Sequence, residues 1–408
     1  MNRIIRAFAA FCLVAVVSGQ ALAVPRAGAF LLEFDTSVRS EGMGGAGVAA
    51  HWGGDPDIWA NPANIAYQQG LRYSEMESRL APDLADDIWL RDQWVVLGGN
   101  GFGLYFARGP IEGAFLDMGP QGYTGDSGEF TEEFNSWSSA ERAGAGISLV
   151  RMLEAWGGRD DPGLSRIIDI SAGYVHTEFE DHLAPDGVTQ SQLGGGVSGT
   201  ARSYGAMARL TPLNTLGETY SAGPLGGVRL NIAYGMSVLN QSDEMLVHVD
   251  TDHGDPFPTA YVKGWSVQAQ TGFPPSLRKA FQSVHMGWLA DSLTPLVSFG
   301  YAEQLIEPGV MWNDEIGESE YTHDTSGLYD EESWGWELSV ANIWHLRKGH
   351  RKTWSGIDGD TEGHGIGFQL GSLGGVRWDK ATVPQVTGFS DVERESWTVW
   401  INLTSLLN

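Results

Sequence analysis

The sequence predicts an all-β protein, a transmembrane antiparallel β-barrel of about fourteen strands (about twelve is the alternative) with a Gly-rich N-terminal plug segment. Three observations predict it. Strand-length segments alternate apolar residues with small or polar ones through most of the chain. A secretory leader precedes them. Glycine (55), tryptophan (16) and tyrosine (12) are abundant. Side chains on a strand point to opposite faces in turn, so each segment has one oily and one wet face. An outer-membrane barrel needs that arrangement, with lipid outside and a polar lumen.

The leader comes first. Arg3 and Arg6 form a basic start, residues 7–17 an apolar run, and Ala21-Leu22-Ala23 a small-residue cleavage site, so the mature chain is expected to begin at Val24. The run is too short for a spanning helix, which needs roughly 20 apolar residues. Cys12 lies inside it, which leaves the mature chain without a thiol and excludes disulfides, zinc-thiolate sites and cysteine nucleophiles. Loss of Arg3 and Arg6 takes the net charge from −26 to −28, which disfavours nucleic acid as a partner. Mean hydropathy is only −0.18, as a barrel dilutes its lipid face with lumen and loop residues. Glycine permits inward crowding and strand bending, and aromatics gather at the water–lipid boundaries.

Residues 24–70 are Gly- and Ala-rich with little alternation and are read as a plug or hatch; residues 71–408 are read as the barrel. The first strand begins near Leu71. A hairpin follows, Trp94 and Val96 turning at Gly99-Asn100 into Phe102, Leu104 and Phe106. Further strands are expected near 143–150, 166–179, 202–211, 226–239, 261–271, 295–304, 334–345, 365–371, 375–383 and 395–403. Val228, Leu230, Ile232, Tyr234, Met236 and Val238 make one oily face, and Trp334, Trp336, Leu338 and Val340 another. Single-chain bacterial barrels have even strand numbers, so one more strand is expected, near 244–249 or 112–118. Long polar connections at 109–142, 180–201, 243–259 and 307–333 are expected as outer loops, with the shorter links facing the periplasm. Leu277, Phe281, Val284 and Trp288 follow helical spacing, which predicts a short helix over 274–290, lying at the membrane interface or packed on the barrel rim.

Two stretches carry a resemblance. The first is Gly42-Met43-Gly44-Gly45-Ala46-Gly47-Val48-Ala49 followed by Asp55-Pro56-Asp57-Ile58-Trp59-Ala60-Asn61-Pro62-Ala63-Asn64-Ile65-Ala66. The second is Gly335-Trp336-Glu337, Asn342, Leu346-Arg347-Lys348-Gly349-His350, Gly365-Ile366-Gly367-Phe368 and Val376-Arg377-Trp378-Asp379-Lys380-Ala381. Together they resemble the FadL/PorV-like family of outer-membrane proteins, which includes FadL-type channels for long-chain fatty acids and PorV/PorQ-type proteins of secretion. Asn64 stands where the family usually has Gly after its Asn-Pro-Ala box, and Lys380 replaces Tyr in its Asp-Tyr-Ala triplet. The resemblance implies a plug folded into the lumen, with Gly42, Gly44, Gly45, Asn61, Pro62 and Ala63 as its candidate plug or ligand positions. Glycine suits tight turns in a crowded lumen, and Pro62 is expected to end any helix begun near Ala46.

The chemistry-bearing clusters point away from catalysis. Residues 42–47 follow no hydrophobic strand and lack the lysine–hydroxyl pair of a phosphate loop. Asp314-Glu315, Glu318, Glu320, Asp324 and Asp330-Glu331-Glu332, like residues 358–362, are read as solvated acidic loops and not as calcium sites. His248 with His253, and His345, His350 and His364, lack zinc-hydrolase spacing. No nucleophile elbow is present, so neither an enzyme nor a bound cofactor or metal is expected. Asp169, Arg229, Glu337, Arg377 and Asp379 fall on the polar faces of their strands and are expected as a lumen network holding the plug, in preference to a solute path, with Arg377 meeting Glu337 across neighbouring closing strands.

The function expected is binding or passing a hydrophobic small molecule across the outer membrane, with lipid and that solute as partners. A scaffold or secretion accessory holding surface partners through its acidic outer loops is the alternative. A soluble secreted all-β binding protein is a third class.

Overall fold

The computed structural model describes residues 28–52, 57–80, 82, 88–124, 130–157, 163–182, 196–216, 226–250, 253–313, 318–321, 329–371, 373–385 and 389–402. The leader expected at 1–23 lies outside them. Strands run in chain order as β1 (Gly70–Arg79), β2 (Trp89–Gly99), β3 (Phe102–Ala107), β4 (Gly113–Thr124), β5 (Phe130–Ser148), β6 (Ile168–His182), β7 (Gly196–Asn214), β8 (Val228–Gln241), β9 (Met245–Asp250) and β10 (His253–Pro256). They continue as β11 (Ala260–Thr271), β12 (Val297–Pro308), β13 (Val310–Asn313), β14 (Glu318–Tyr321), β15 (Glu331–Val340), β16 (Trp344–Lys352), β17 (Asp358–Leu370), β18 (Gly374–Val383) and β19 (Val392–Ile401).

Fifteen of these strands form one antiparallel sheet, closed where β1 pairs β19 with Tyr73 opposite Val399. β3 and β4 occupy one stave, both lying between β2 and β5. The result is a closed antiparallel barrel of fourteen staves, which leaves the sheet no unpaired edge. β9 with β10 and β13 with β14 form two small hairpins outside it.

The fourteenth stave is not where the sequence pattern placed it. Residues 112–118 do enter a strand, but β4 only prolongs the stave begun by β3, and residues 244–249 enter the separate β9 hairpin. The additional stave is β16. The segment read as one strand over 334–345 is β15, a turn through Ala341 and Asn342 (φ 54° and 56°), and the start of β16. Arg347, Gly349 and Arg351 alternate with Leu346, Lys348 and His350 there, so charge on both faces hides the oily stripe. Residues 109–142 are likewise mostly β4 and β5 and not a loop.

Outward faces are apolar. Ile232, Tyr234 and Met236 on β8 and Trp397, Val399 and Ile401 on β19 are exposed, while Asn231, Ala233, Ser237, Ser396 and Thr398 are buried inside. One rim carries the short turns and the chain's entry at Gly70. The helical segment over 274–290 sits at that rim as two pieces, Pro275–Ser283 and Gly287–Ser292, parted where His285 takes a φ of 61°. Phe281 packs on Phe273 with ring centroids 5.7 Å apart, whereas Leu277, Val284 and Trp288 face outward. A second helix at this rim, Leu149–Trp156, exposes Leu153 and Trp156. The opposite, long-loop rim carries the connections after β1, β6, β8 and β12, the last two holding the small hairpins.

Residues 28–52 and 57–68 run through the barrel interior, and the core forms between them and the wall. Ile65 packs with Val96, Tyr105 and Val175; Val48 and Ala63 pack with Met207, Ala233 and Val262; Met43 and Trp52 pack with Ala302. Each such fully buried Ile, Val or Met contributes about 1.5–3 kcal/mol relative to exposure.

Candidate functional site: a lumen divided by the N-terminal segment

Backbone that is not strand must find partners within the protein when it lies at membrane depth. Here the wall supplies them. Gln304 Oε1 accepts from the Gly47 and Val48 N–H groups (3.1 and 2.8 Å), Thr361 Oγ1 accepts from Gly44 N (2.9 Å), and the Ser237 and Ser266 hydroxyls donate to the Ala60 and Ala49 carbonyls (2.6 and 2.7 Å). Gly44 and Gly45 have positive φ (76° and 83°), a turn that other residues adopt only with strain. Close approach also needs wall glycines: a Cβ on Gly335 or Gly349 would run into the Met43 backbone. Gly42 lies against Gly363.

Asn61 is a junction. Its Nδ2 donates to the carbonyls of Val48 (2.7 Å) and Ala206 (3.2 Å), and its Oδ1 accepts from Ala63 N (2.9 Å) as the cap of the 3₁₀ helix Pro62–Tyr67. Pro62 therefore opens a helix and ends none, because the first helical position loses nothing by lacking an N–H. The helix before it, Val38–Glu41, is capped by Ser37 and closes at Gly42, well short of Pro62.

Three of the five lumen charges singled out in the sequence meet in one buried cluster. Glu337 on β15 lies 2.9 Å from Arg39, 2.7 Å from Arg347 and 3.6 Å from Arg377. Asp379 lies 2.8 Å from Arg347 and 2.7 Å from Arg377. Every member is at most 4% exposed. Arg377 and Glu337 are not on neighbouring strands, since β16 and β17 separate them. The contact spans that gap because β17 turns Gly363, Gly365 and Gly367 inward, and a Cβ at Gly365 would strike Asp379. Arg39 and Arg347 were missed by sequence reasoning. Arg347 shares the wet face of β16, so recognising that strand would have found it; nothing local marks Arg39.

Asp169 and Arg229 stand apart from this cluster. Asp169, fully buried, accepts from Ser148 Oγ (2.5 Å) and pairs with Arg151 (3.2 Å) and Arg209 (3.5 Å), both of which lie over the Tyr67 ring. Arg229 donates to Asn214 Oδ1 (3.1 Å).

The N-terminal segment leaves space toward each rim. Toward the short-turn rim lies a polar chamber of about 240 Å³, lined by Arg72, Gln268, Asn342, His345 and Arg377 among others. Toward the long-loop rim lies a cavity of about 100 Å³ whose apolar wall includes Leu32, Trp59, Leu239, Val262 and Ile306. Its charged lining is Glu33, Asp35, Glu41, Glu331 and Arg351. Arg351 pairs with Glu41 (3.3 Å) and Glu331 (3.8 Å), and Arg394 approaches Glu41 (3.6 Å). Burial first, then the Asp57 and Glu41 carboxylates, hold the Asp35 carboxyl well above its ordinary range, and burial pushes Asp57 up to about 6.

The acidic runs divide differently from their sequence reading. Glu331 turns inward to Arg351 and is 7% exposed. Residues 358–362 belong to β17 and not to a loop; Asp360 pairs with Lys348 (3.1 Å) and His350 (3.1 Å) on the outer face. Asp314, Glu315 and Asp324 lie outside the described residues, and the side chains of Glu318, Glu320, His248 and His253 do too. His345 is buried at the cluster, and His364 lies edge-on to Trp378. Among the described residues no group of three or more His, Cys, Asp or Glu could hold a metal ion.

No protein-family profile matches this sequence, and no curated protein does. Solved structures that share the barrel include the Ralstonia pickettii toluene transporter TbuX, at 11% identity over 91% of this chain and 99% of that one, with a TM-score of 0.41. The CymD monoaromatic hydrocarbon channel is 14% identical over 92% of this chain and 99% of that one (TM-score 0.40). A Pseudomonas aeruginosa FadL homologue is 11% identical over 90% and 98% (TM-score 0.38). At these identities and scores the fold stands on the strand pairing above, and the roles of residues stand on the contacts of this chain.

Proposed function

We propose that this protein is an outer-membrane β-barrel that takes a hydrophobic small molecule into its outer cavity and passes it across the membrane, with residues 28–68 serving as an internal plug. The short-turn rim would face the periplasm. The observation that carries the reading is the apolar cavity held between the plug and the long-loop half of the wall, around Leu32, Leu239 and Ile306. Small-molecule sites are concave and mostly apolar with a few placed polar groups. The outward apolar faces supply the lipid-contacting surface, and the plug prevents free diffusion through the lumen. The test is uptake of a labelled ring-sized hydrocarbon by cells carrying the protein, against cells carrying Ile306→Trp, which fills the cavity. Uptake should fall to background in the variant. Equal uptake at equal membrane abundance removes the cavity from the path.

A second reading, a scaffold that holds partners at the surface, is favoured by the buried Arg39–Glu337–Arg347–Asp379–Arg377 cluster, in which Arg39 of the plug is held 2.9 Å from Glu337 and the wall members lie 2.7–2.8 Å apart. Stable co-purification of partners from native membranes, together with no solute-dependent uptake, would select it.

A further inference from the structure

The outer cavity has a charge character that its apolar wall does not require. Four carboxylates line it (Glu33, Asp35, Glu41 and Glu331), and among the described residues that line it Arg351 is the one cation. Arg351 already pairs with Glu41 and Glu331. Glu41 is fully buried, and its Oε2 has no hydrogen-bond partner although Oε1 meets Arg351 and Arg394. A buried carboxylate oxygen without a donor is costly to leave unmade, so a ligand that brings a donor there gains what the protein alone leaves open. Among the described residues, the Asp35 carboxylate accepts from the Ser37 backbone N–H (2.8 Å). Burial first, then the Asp57 and Glu41 carboxylates, push the Asp35 carboxyl up, and the second part of that push comes from the same acidic lining.

We infer that the outer cavity selects ring-sized molecules that are neutral or carry a positive charge, amines above all, and rejects carboxylates. The inference rests on the hydrophobic-solute reading above and names the class of solute. A carboxylate seated on the apolar wall would meet a lining of four acidic side chains whose lining guanidinium, Arg351, is already engaged by Glu41 and Glu331, in a place where water screens little. A protonated amine on the same ring would place its N–H donors among Glu41 and Asp35. The fatty-acid chemistry implied by the family resemblance is thus the chemistry this cavity is least suited to.

The test is calorimetric titration of the full-length protein in lipid nanodiscs with three probes of one shape: phenethylamine, ethylbenzene and hydrocinnamate, the amine being protonated and the acid ionised at neutral pH. The amine should bind most tightly, and the carboxylate about tenfold or more below ethylbenzene, a gap of about 1.4 kcal/mol. Glu41→Gln and Asp35→Asn should each shrink the amine's advantage while ethylbenzene affinity stays within about threefold. Glu41→Gln leaves Arg351 and Arg394 short of a partner; if it does not fold, Asp35→Asn, at a partly buried residue whose carboxylate no described arginine pairs with, carries the comparison alone. Ethylbenzene binding with the carboxylate equal to or tighter than the amine would overturn the charge selection and leave the hydrophobic-solute reading intact. Failure of all three probes to bind would overturn both.

Discussion

Glu337→Gln should be among the most damaging substitutions in the lumen, and more damaging than Arg347→Met. The cluster holds three guanidinium groups and two carboxylates, so it carries one surplus positive charge. Removing Arg347 leaves Glu337 with Arg39 at 2.9 Å and Arg377 at 3.6 Å, and Asp379 with Arg377 at 2.7 Å, two cations facing two anions. Neutralising Glu337 leaves three buried guanidinium groups sharing Asp379, which touches only two of them. An ion pair at 4 Å in a protein environment is worth about 4 kcal/mol before desolvation, and breaking a buried pair by removing one partner costs about 3–5 kcal/mol. Glu337 faces three cations and so belongs at or above the upper end of that range; Arg347→Met should cost about half as much. The assay is reversible urea unfolding in lipid bilayers, followed by tryptophan fluorescence. Adding Arg39→Met to Glu337→Gln should recover about 1–2 kcal/mol, because it lowers the excess of buried positive charge around Asp379. A Glu337→Gln cost within about 1 kcal/mol of wild type, or an Arg347→Met cost exceeding it, would refute the charge count.

Other consequences are more local. Leu338→Arg places a charge on the outer face and should cost about 2–4 kcal/mol near mid-bilayer. Ser339→Arg, one residue on, projects into the polar chamber and should cost much less in the same unfolding assay; equal costs would contradict the assigned faces. Gly349→Leu drives a side chain into the Met43 backbone, so the plug should shift and single-channel conductance in planar bilayers should rise above that of wild type. Asn61→Ala removes a helix cap and two bonds to carbonyl groups; about 1–2 kcal/mol of stability should be lost, together with faster proteolysis of residues 28–68. Asp57 binds its proton more tightly folded than unfolded, with 3.8 rising to about 6. Its contribution is therefore fully present below pH 3.8 and lost as pH rises through 6, so wild type should lose stability relative to Asp57→Asn across that window.

Much of the barrel was legible because a wall with one apolar and one polar face imposes a period of two on its strands. β8, β15 and β19 are readable from their oily faces alone. β16 was not, because Arg347 and Arg351 serve the lumen network while Lys348 and His350 pair with Asp360 outside. A strand with charges on both faces has no hydrophobic alternation to detect. The lumen cluster was half legible: Glu337, Arg377 and Asp379 stand out as charges on small-residue faces, whereas Arg39 acquires its partner only once the chain has folded back across 298 residues. The outer cavity was not legible at all. Its walls come from the N-terminal segment, β8, the residues before β11, β11, β12, β13, β15 and β16, each residue of which looks ordinary in its own segment.

The most direct test of the central claim is the accessibility of single spin labels in a lipid bilayer. Labels at Phe299 and Phe368 should collide with lipid-dissolved oxygen and be shielded from a water-soluble nickel reagent. Labels at Ser298 and Gly367, their neighbours lining the inner polar chamber, should show the reverse. Nickel reaching both outward sites as readily as the inward ones would contradict a barrel whose outer face is solvated by lipid.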